Sequence, residues 1–344
     1  MNAAVFRMFG GLLALACCAA GASEADLSKA DLSKDVLRQN GWVAYDVPTV
    51  ASAGAPCCYS MHDHHATRGA CTLDGKTWII GSDDHDAQTI VDHTLTVYLR
   101  VDNGAIDRVR AFASTCPISD AERARRIDRV ATADSVALLA KLAQDAGAHE
   151  LLDESIAALS MHDDPSAVPA LAKLAESGHA RKLREQALFW LSQNGGAPGA
   201  RIVEHVATTD NDDDLREQAI FDLSQVHGAD GYAIIARIAQ TDHTPHVRSQ
   251  ALFWMAQTGD TRAKADIVAA IERDTNDEVR EQGVFALSQL KDHEADAALI
   301  ALVRGVYPRK VKQQALFWLG QSGSDEALKF LDDVLTRQAG TKEF

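Results

Sequence analysis

Five segments of the chain superimpose without a gap at intervals of 32 residues, and this spacing limits the fold more than any other feature. The first reads Leu183-Arg184-Glu185-Gln186-Ala187-Leu188-Phe189-Trp190-Leu191-Ser192-Gln193; the others start at Leu215, Val247, Val279 and Val311. A degenerate sixth starts 32 residues earlier, at Leu151. Second apolar-periodic stretches lie between them, among them Ala233 to Ala239, Ala265 to Ile271 and Ala297 to Val303. A unit this short cannot bury its own hydrophobic face, but a pair of helices stacked on the next pair can. The expectation is a right-handed α-solenoid of six to seven helix pairs. Ser135 to Ala143 reads as the second helix of a further unit and opens the array.

Upstream the texture changes. From about residue 36 to 118 the chain is turn-rich with strand-like pieces. Leu95 to Val101 alternates and is rich in β-formers, Asp102-Asn103-Gly104 supplies a tight turn, and Ala105 to Ala113 returns. This predicts a β-hairpin. Trp78-Ile79-Ile80 predicts a further strand. The expected organisation is a signal peptide at 1–22, a flexible linker at 23–35, a small β-rich domain at 36–118, a repeat solenoid at 119–338 and a tail at 339–344. The fold class is mainly α, with a small disulfide-containing β domain in front.

The first 22 residues read as an export signal: Arg7, an apolar run from Met8 to Ala16, and Ala20-Gly21-Ala22 as a small-x-small cleavage site. The competing reading makes Ala14-Leu15-Ala16-Cys17 a lipobox with lipid on Cys17, the one route that ties this chain to a membrane. Either reading leads out of the cytoplasm, and a bacterial periplasm fits best. Cysteine use agrees. After cleavage Cys57, Cys58, Cys71 and Cys116 remain, all in the β-rich segment, which predicts two local disulfides. Cys57 and Cys58 are expected to bond separately to Cys71 and Cys116, because a ring between adjacent cysteines is strained. A net charge of -15 argues against a nucleic-acid partner, whose phosphates need a basic surface.

The repeat form, an aliphatic residue followed by Arg, then Ala four and Leu eight positions on, resembles HEAT-like repeats of the short phycobilisome-lyase type. The whole layout of Cys57-Cys58, Cys71, Cys116-Pro117 and then repeats with Ala-Leu-Phe-Trp-Leu is similar to a group of exported bacterial HEAT-repeat proteins. The resemblance implies binding to other proteins and carries no activity.

Each repeat helix bears a second stripe at i, i+3 and i+7, opposite its broad apolar side. It comprises Gln186/Phe189/Gln193, Gln218/Phe221/Gln225, Gln250/Phe253/Gln257, Gln282/Phe285/Gln289 and Gln314/Phe317/Gln321. The degenerate copy has Glu154, Ala157 and Met161 there. Two readings compete: inter-repeat packing, or a ladder that grips an extended partner. Trp190, Trp254 and Trp318 alternate at one position with Asp222 and Ala286, and are expected to bury against the second helix of each pair. Arg184, Arg216, Arg248, Arg280 and Lys312 form a basic row. With Asp210, Asp242 and Asp274 it predicts an Asp–Arg ladder between units, mostly exposed and worth under about 1 kcal/mol per rung.

Few residues suggest chemistry. His62, His64 and His65 with Asp63, joined by Asp83 to Asp86 and His93, are the metal-ligand-like cluster, though their spacing fits no closed zinc pattern. Deoxyhypusine hydroxylase, a HEAT-type enzyme, binds iron through His-Glu pairs at repeat helix starts. His149-Glu150 and His293-Glu294 do not share a repeat position here. No catalytic motif stands out, so neither a catalytic residue nor a cofactor is expected. The sequence therefore points to a non-enzymatic scaffold for a protein or peptide in the cell envelope. The alternative is a metal-binding or redox-active protein working through the Cys/His segment.

Overall fold

The structure, a computed structural model, describes residues 32–53, 56–62, 65–69, 71–75, 79–80, 93–147, 149–226 and 230–340. The expected export signal with Cys17, His64, the stretch Asp83 to Asp86 and the last four residues lie outside them. A short helix α1 (Leu32–Leu37) precedes seven strands: β1 (Gly41–Pro48), β2 (Cys57–His62), β3 (His65–Gly69), β4 (Ile79–Ile80), β5 (Thr94–Asp102), β6 (Ala105–Ala113) and β7 (Arg125–Arg126). They form a four-stranded sheet in the order β6-β5-β1-β7 and a three-stranded one in the order β3-β2-β4. β5 and β6 are the expected hairpin. Its turn places Asn103 at φ 51° and Gly104 at φ 75°, the left-handed backbone that a two-residue hairpin turn requires.

The period-two alternation of β1, β5 and β6 divides two cores. Val43, Tyr45, Val47, Leu95, Val97, Leu99, Val109 and Ala111 share one continuous core with the helices. Trp42, Ala44, Tyr98 and Phe112 face the other way, onto Leu73 and the cysteines. The sheet is thus bonded into the array. It also reaches further than the expected boundary at 118: β7 pairs with β1, and Ile127 N–H bonds to Ala44 O at 2.9 Å. α1 likewise forms inside the stretch expected to be linker, because Leu32 and Val36 are buried in the shared core.

A buried polar chain crosses the same junction. The Tyr45 hydroxyl lies 2.8 Å from Ser135 Oγ, which lies 2.8 Å from His162 Nε2, and His162 Nδ1 lies 2.8 Å from Ala158 O. Since a carbonyl can only accept, Nδ1 carries the proton; Nε2 then accepts from Ser135, whose oxygen accepts from Tyr45. Burial drives the His162 pKa down to about 4, so this chain is neutral.

The array begins with α2 (Thr132–Asp145), as expected, and continues as six pairs: α3 (His149–Ser160) with α4 (Ala167–Ala175), α5 (Arg181–Asn194) with α6 (Gly196–Thr209), α7 (Asp213–Ser224) with α8 (Gly231–Thr241), α9 (Pro245–Gln257) with α10 (Ala263–Arg273), α11 (Asp277–Ser288) with α12 (Asp296–Arg304), and α13 (Arg309–Ser322) with α14 (Asp325–Gly340). The aliphatic, Ala and Leu positions of the repeat are core, as at Leu183, Ala187 and Leu191 or Val311, Ala315 and Leu319. Successive odd-numbered helices pack closely from unit to unit, whereas successive even-numbered ones touch sparsely. The array therefore bends with α3, α5, α7, α9, α11 and α13 on its inner side.

Candidate functional site on the inner helix row

On each inner helix the Gln and Phe positions lie on the side opposite the buried aliphatic, Ala and Leu positions of the repeat. In the five full repeats the ring is neither core nor free. Phe189, Phe221, Phe253 and Phe285 are half-buried, and Phe317 is 55% exposed. Phe221 packs against Trp254 of the next unit with ring centres 4.8 Å apart, Phe253 stacks on Phe285 at 6.0 Å with planes 2° apart, and Phe285 meets Trp318 at 5.4 Å. Within units, Trp254 meets Phe253 edge-on at 5.1 Å and Trp318 meets Phe317 at 5.0 Å. The rings from Phe221 to Phe317 thus form one continuous ladder across four units. The tryptophans are half-buried and pack against the core. Trp254 and Trp318 also meet a Phe of the preceding unit, whereas Trp190, whose preceding unit has Ala157 there, meets Phe189 of its own helix at 5.2 Å.

The glutamines divide by position. At the end of each helix, Gln193, Gln225 and Gln289 donate to the neighbouring Ser192, Ser224 and Ser288 hydroxyls, and Gln193 also reaches Gln225 O at 3.4 Å. Earlier on the helix, Gln218 donates to Asp222, whereas Gln186, Gln250, Gln282 and Gln314 have no hydrogen-bond partner among the described residues. Gln257 and Gln321 are exposed. Gln314 and Phe317 line a shallow depression of about 390 Å³ with Glu281, Lys310 and Gln313.

The first unit shows what this line of positions holds. Glu154, Ala157 and Met161 occupy the Gln, Phe and Gln positions on α3, and β6 lies against that helix. Glu154 accepts the backbone N–H of Val109 at 2.9 Å and pairs with Arg110, whose side chain is 6% exposed. Glu150, one turn earlier, pairs with Arg108 at 2.5 Å. At the other end of the helix, Met161 O accepts from Val50 N–H at 3.0 Å and from the Thr49 hydroxyl at 2.7 Å. The chain's own extended backbone therefore covers the inner line of the first unit. The departure from Gln-Phe-Gln at Glu154, Ala157 and Met161 was the sequence signal for this contact.

The Asp–Arg ladder exists but is buried, contrary to its expected exposure. Arg184 pairs with Asp210, Arg216 with Asp242 and Arg248 with Asp274, and the middle pair is 2% exposed on both sides. The depth has a local cause: each Arg also bonds a carbonyl at the end of a preceding helix. Arg184 Nε donates to Ala175 O at 2.9 Å, Arg216 Nε to Ala207 O at 3.1 Å, and an Arg248 terminal nitrogen to Asp242 O at 2.8 Å. These are carbonyls that helix ends leave unpaired and that draw a cation. Burial raises the Asp210 and Asp274 carboxyls, but the facing guanidiniums outweigh it and hold both below the usual range. The fourth rung is missing. Val306, fully exposed, stands where the next Asp is due, and Arg280 Nε is buried without a partner.

Asp222 takes the Trp position of the third unit and is wholly buried. Gln218 bonds one of its oxygens while the other has no partner, and burial pushes its pKa up to about 7.

All four cysteines of the β-rich region are disulfide-bonded, Cys57 to Cys116 and Cys58 to Cys71. Cys57, Cys71 and Cys116 are the one group among the described residues close enough to share a metal, and the disulfides occupy those sulfurs. His62 and His65 are backbone partners across β2 and β3, and His93 is exposed just before β5. Glu150 serves Arg108, and His293 contacts Ser322 at 2.9 Å in the turn between α11 and α12, so the two His-Glu pairs do not meet in one group. No described helix is long and apolar enough to cross a membrane.

The HEAT repeats pattern matches residues 200–288 and 233–316. HEAT repeats thus lie within the array of helix pairs, behind a small strand-containing, disulfide-bonded N-terminal region, and HEAT repeats generally mediate protein–protein interaction. Among solved structures it is similar to human deoxyhypusine hydroxylase in complex with glycerol, with 18% identity and TM-score 0.31, over 56% of this chain and 80% of that one. No curated protein matches the sequence.

Proposed function

We propose that the protein is a non-enzymatic scaffold of the bacterial cell envelope whose inner helix row holds an extended segment of a partner protein or peptide. The observation that carries this is β6 on α3: at the Gln-position of the first unit, Glu154 already accepts a backbone N–H from an extended strand. From α7 to α13 the same line offers a half-exposed aromatic ladder, and Gln250, Gln282 and Gln314 beside it have no hydrogen-bond partner among the described residues. Rings of this kind supply area at low entropic cost, and amides serve either a donor or an acceptor of a passing backbone. The leader-like N-terminus and the paired cysteines favour an extracytoplasmic location. The net charge of -15 favours a basic partner and disfavours nucleic acid.

Site-specific photo-crosslinking in the native envelope tests the reading. A benzophenone at Gln250 should capture a discrete partner, and one at Lys264, exposed on the outer helix α10, should not. Equal capture from both faces, or from the outer face alone, would remove the inner row from the proposal.

A further inference from the structure

The two disulfides lie close enough to exchange. Cys71 Sγ is 3.5 Å from Cys116 Sγ, although each is bonded to a different partner. The Sγ atoms of Cys57, Cys71 and Cys116 all lie within 4.8 Å of one another. What holds Cys71 beside Cys116 is backbone, independent of either S–S bond. Cys71 N–H bonds to Pro117 O at 2.9 Å, Ser119 N–H returns to Cys71 O at 2.9 Å, and Cys71 bridges to Ile118 in parallel register. Cys57 and Cys58 are neighbours on β2, pinned by pairing to Ile80 and Ile79. Burial grades the two bonds: Cys57, Cys71 and Cys116 are nearly inaccessible, while Cys58 is half-buried.

We propose that this cluster is a two-disulfide exchange site, entered at Cys58 by a small-molecule or protein dithiol. One thiolate of the dithiol attacks Cys58 Sγ, a mixed disulfide forms, and the Cys58–Cys71 bond breaks with the electron pair going to Cys71. The Cys71 thiolate then stands at near-attack distance from Cys116. It attacks Cys116 Sγ, the Cys71–Cys116 bond forms, and Cys57 leaves as thiolate and takes a proton. The second thiol of the external dithiol resolves the mixed disulfide, releasing the Cys58 thiol. The external dithiol is thereby oxidised to its disulfide, and the protein gains two electrons and keeps one bond. Its reduced thiols are the adjacent pair Cys57 and Cys58 instead of Cys58 and Cys71. The backbone pairing of Cys71 with 117–119 keeps the attacking and receiving sulfurs together throughout, and the sulfur lining the second core is the relay.

The test uses the full oxidised chain and dithiothreitol as the dithiol. Up to one equivalent is added, thiols are trapped by acid quench and alkylation, and bonds are mapped by mass spectrometry, with helicity followed by circular dichroism. The expected result is singly reduced protein with undiminished helicity, a Cys71–Cys116 cross-linked peptide, and label on Cys57 and Cys58. Label confined to Cys58 and Cys71 with Cys57–Cys116 intact would overturn the relay. Label on Cys57 and Cys116 would overturn the entry at Cys58. A Cys71–Cys116 bond found only where helicity is lost would mark scrambling and would also overturn it. Cys58→Ser gives a second reading without reductant. Its leftover thiol should be shared between Cys71 and Cys57, whereas label on Cys71 alone contradicts the exchange.

Discussion

Restoring the missing ladder rung is a stringent check of how the units are joined. Val306→Asp places a carboxylate at the repeat position that Asp210, Asp242 and Asp274 hold in earlier units, where each pairs with the Arg near the start of its own unit's inner helix, the equivalent of Arg280. Val306 is fully exposed, so the change forfeits no buried apolar surface. Arg280 is 22% exposed and, apart from a 3.4 Å contact to Asp277, its guanidinium is unserved. A hydrogen bond to a charged group contributes about 1.5–3 kcal/mol, and less where solvent reaches it. One further bond of the native rungs cannot be recovered. Asp242 also accepts Thr244 N–H at 2.8 Å, but the equivalent residue here is Pro308, which has no N–H. The net expectation is a gain of about 1 kcal/mol, or roughly 2 °C in melting temperature for a chain of this size. Thermal melts of Val306→Asp, Arg280→Ala and the double variant isolate the pair. A gain that persists without Arg280, or no gain at all, would refute the rung.

Four further outcomes follow from buried groups. Asp242→Ala strands the Arg216 charge and should cost about 3–5 kcal/mol, far more than an exposed pair would, read as a shift in the urea midpoint. His162 is neutral when folded, with a pKa of about 4 against 6.5 when unfolded, so its contribution is complete above pH 6.5 and lost as pH falls to 4, by about 3 kcal/mol; His162→Gln should abolish that slope. Asp222 has the opposite sign: its stability is present below pH 3.8 and lost as pH rises through about 7, so Asp222→Asn should stabilise at pH 8 by roughly 4 kcal/mol and do little at pH 4. Glu154→Ala leaves Arg110 buried without its carboxylate and should loosen β6 from α3, seen as faster amide exchange at Val109.

The 32-residue period alone located the helix pairs, because the residues that must be buried recur at fixed spacing and nothing else satisfies them. The hairpin was as legible, since Asn103-Gly104 supplies the only backbone that returns the strand. Depth was not. Arg216 and Asp242 read as a surface pair because spacing reports adjacency and says nothing of the helix-end carbonyl that draws the guanidinium inward. The shared core was hidden for a related reason: alternation in β1 shows that both faces are covered, and does not say that α2 and α3 cover one of them. Packing against exposure on the Gln-Phe-Gln stripe also had no resolution in the sequence, because the rings are neither wholly core nor wholly free. They stack between units and keep one side exposed.

The measurement nearest to the proposed role removes only the unpartnered amides. Gln250, Gln282 and Gln314 make no hydrogen bond among the described residues, so changing all three to Ala should shift the melting temperature by about 1–2 °C at most. If they serve a bound backbone, photo-capture by a benzophenone at Gln257, exposed on the same stripe, should fall at least tenfold, as expected when about 1.4 kcal/mol of contact is lost. Unchanged capture by a variant that melts normally would contradict an inner-row binding site.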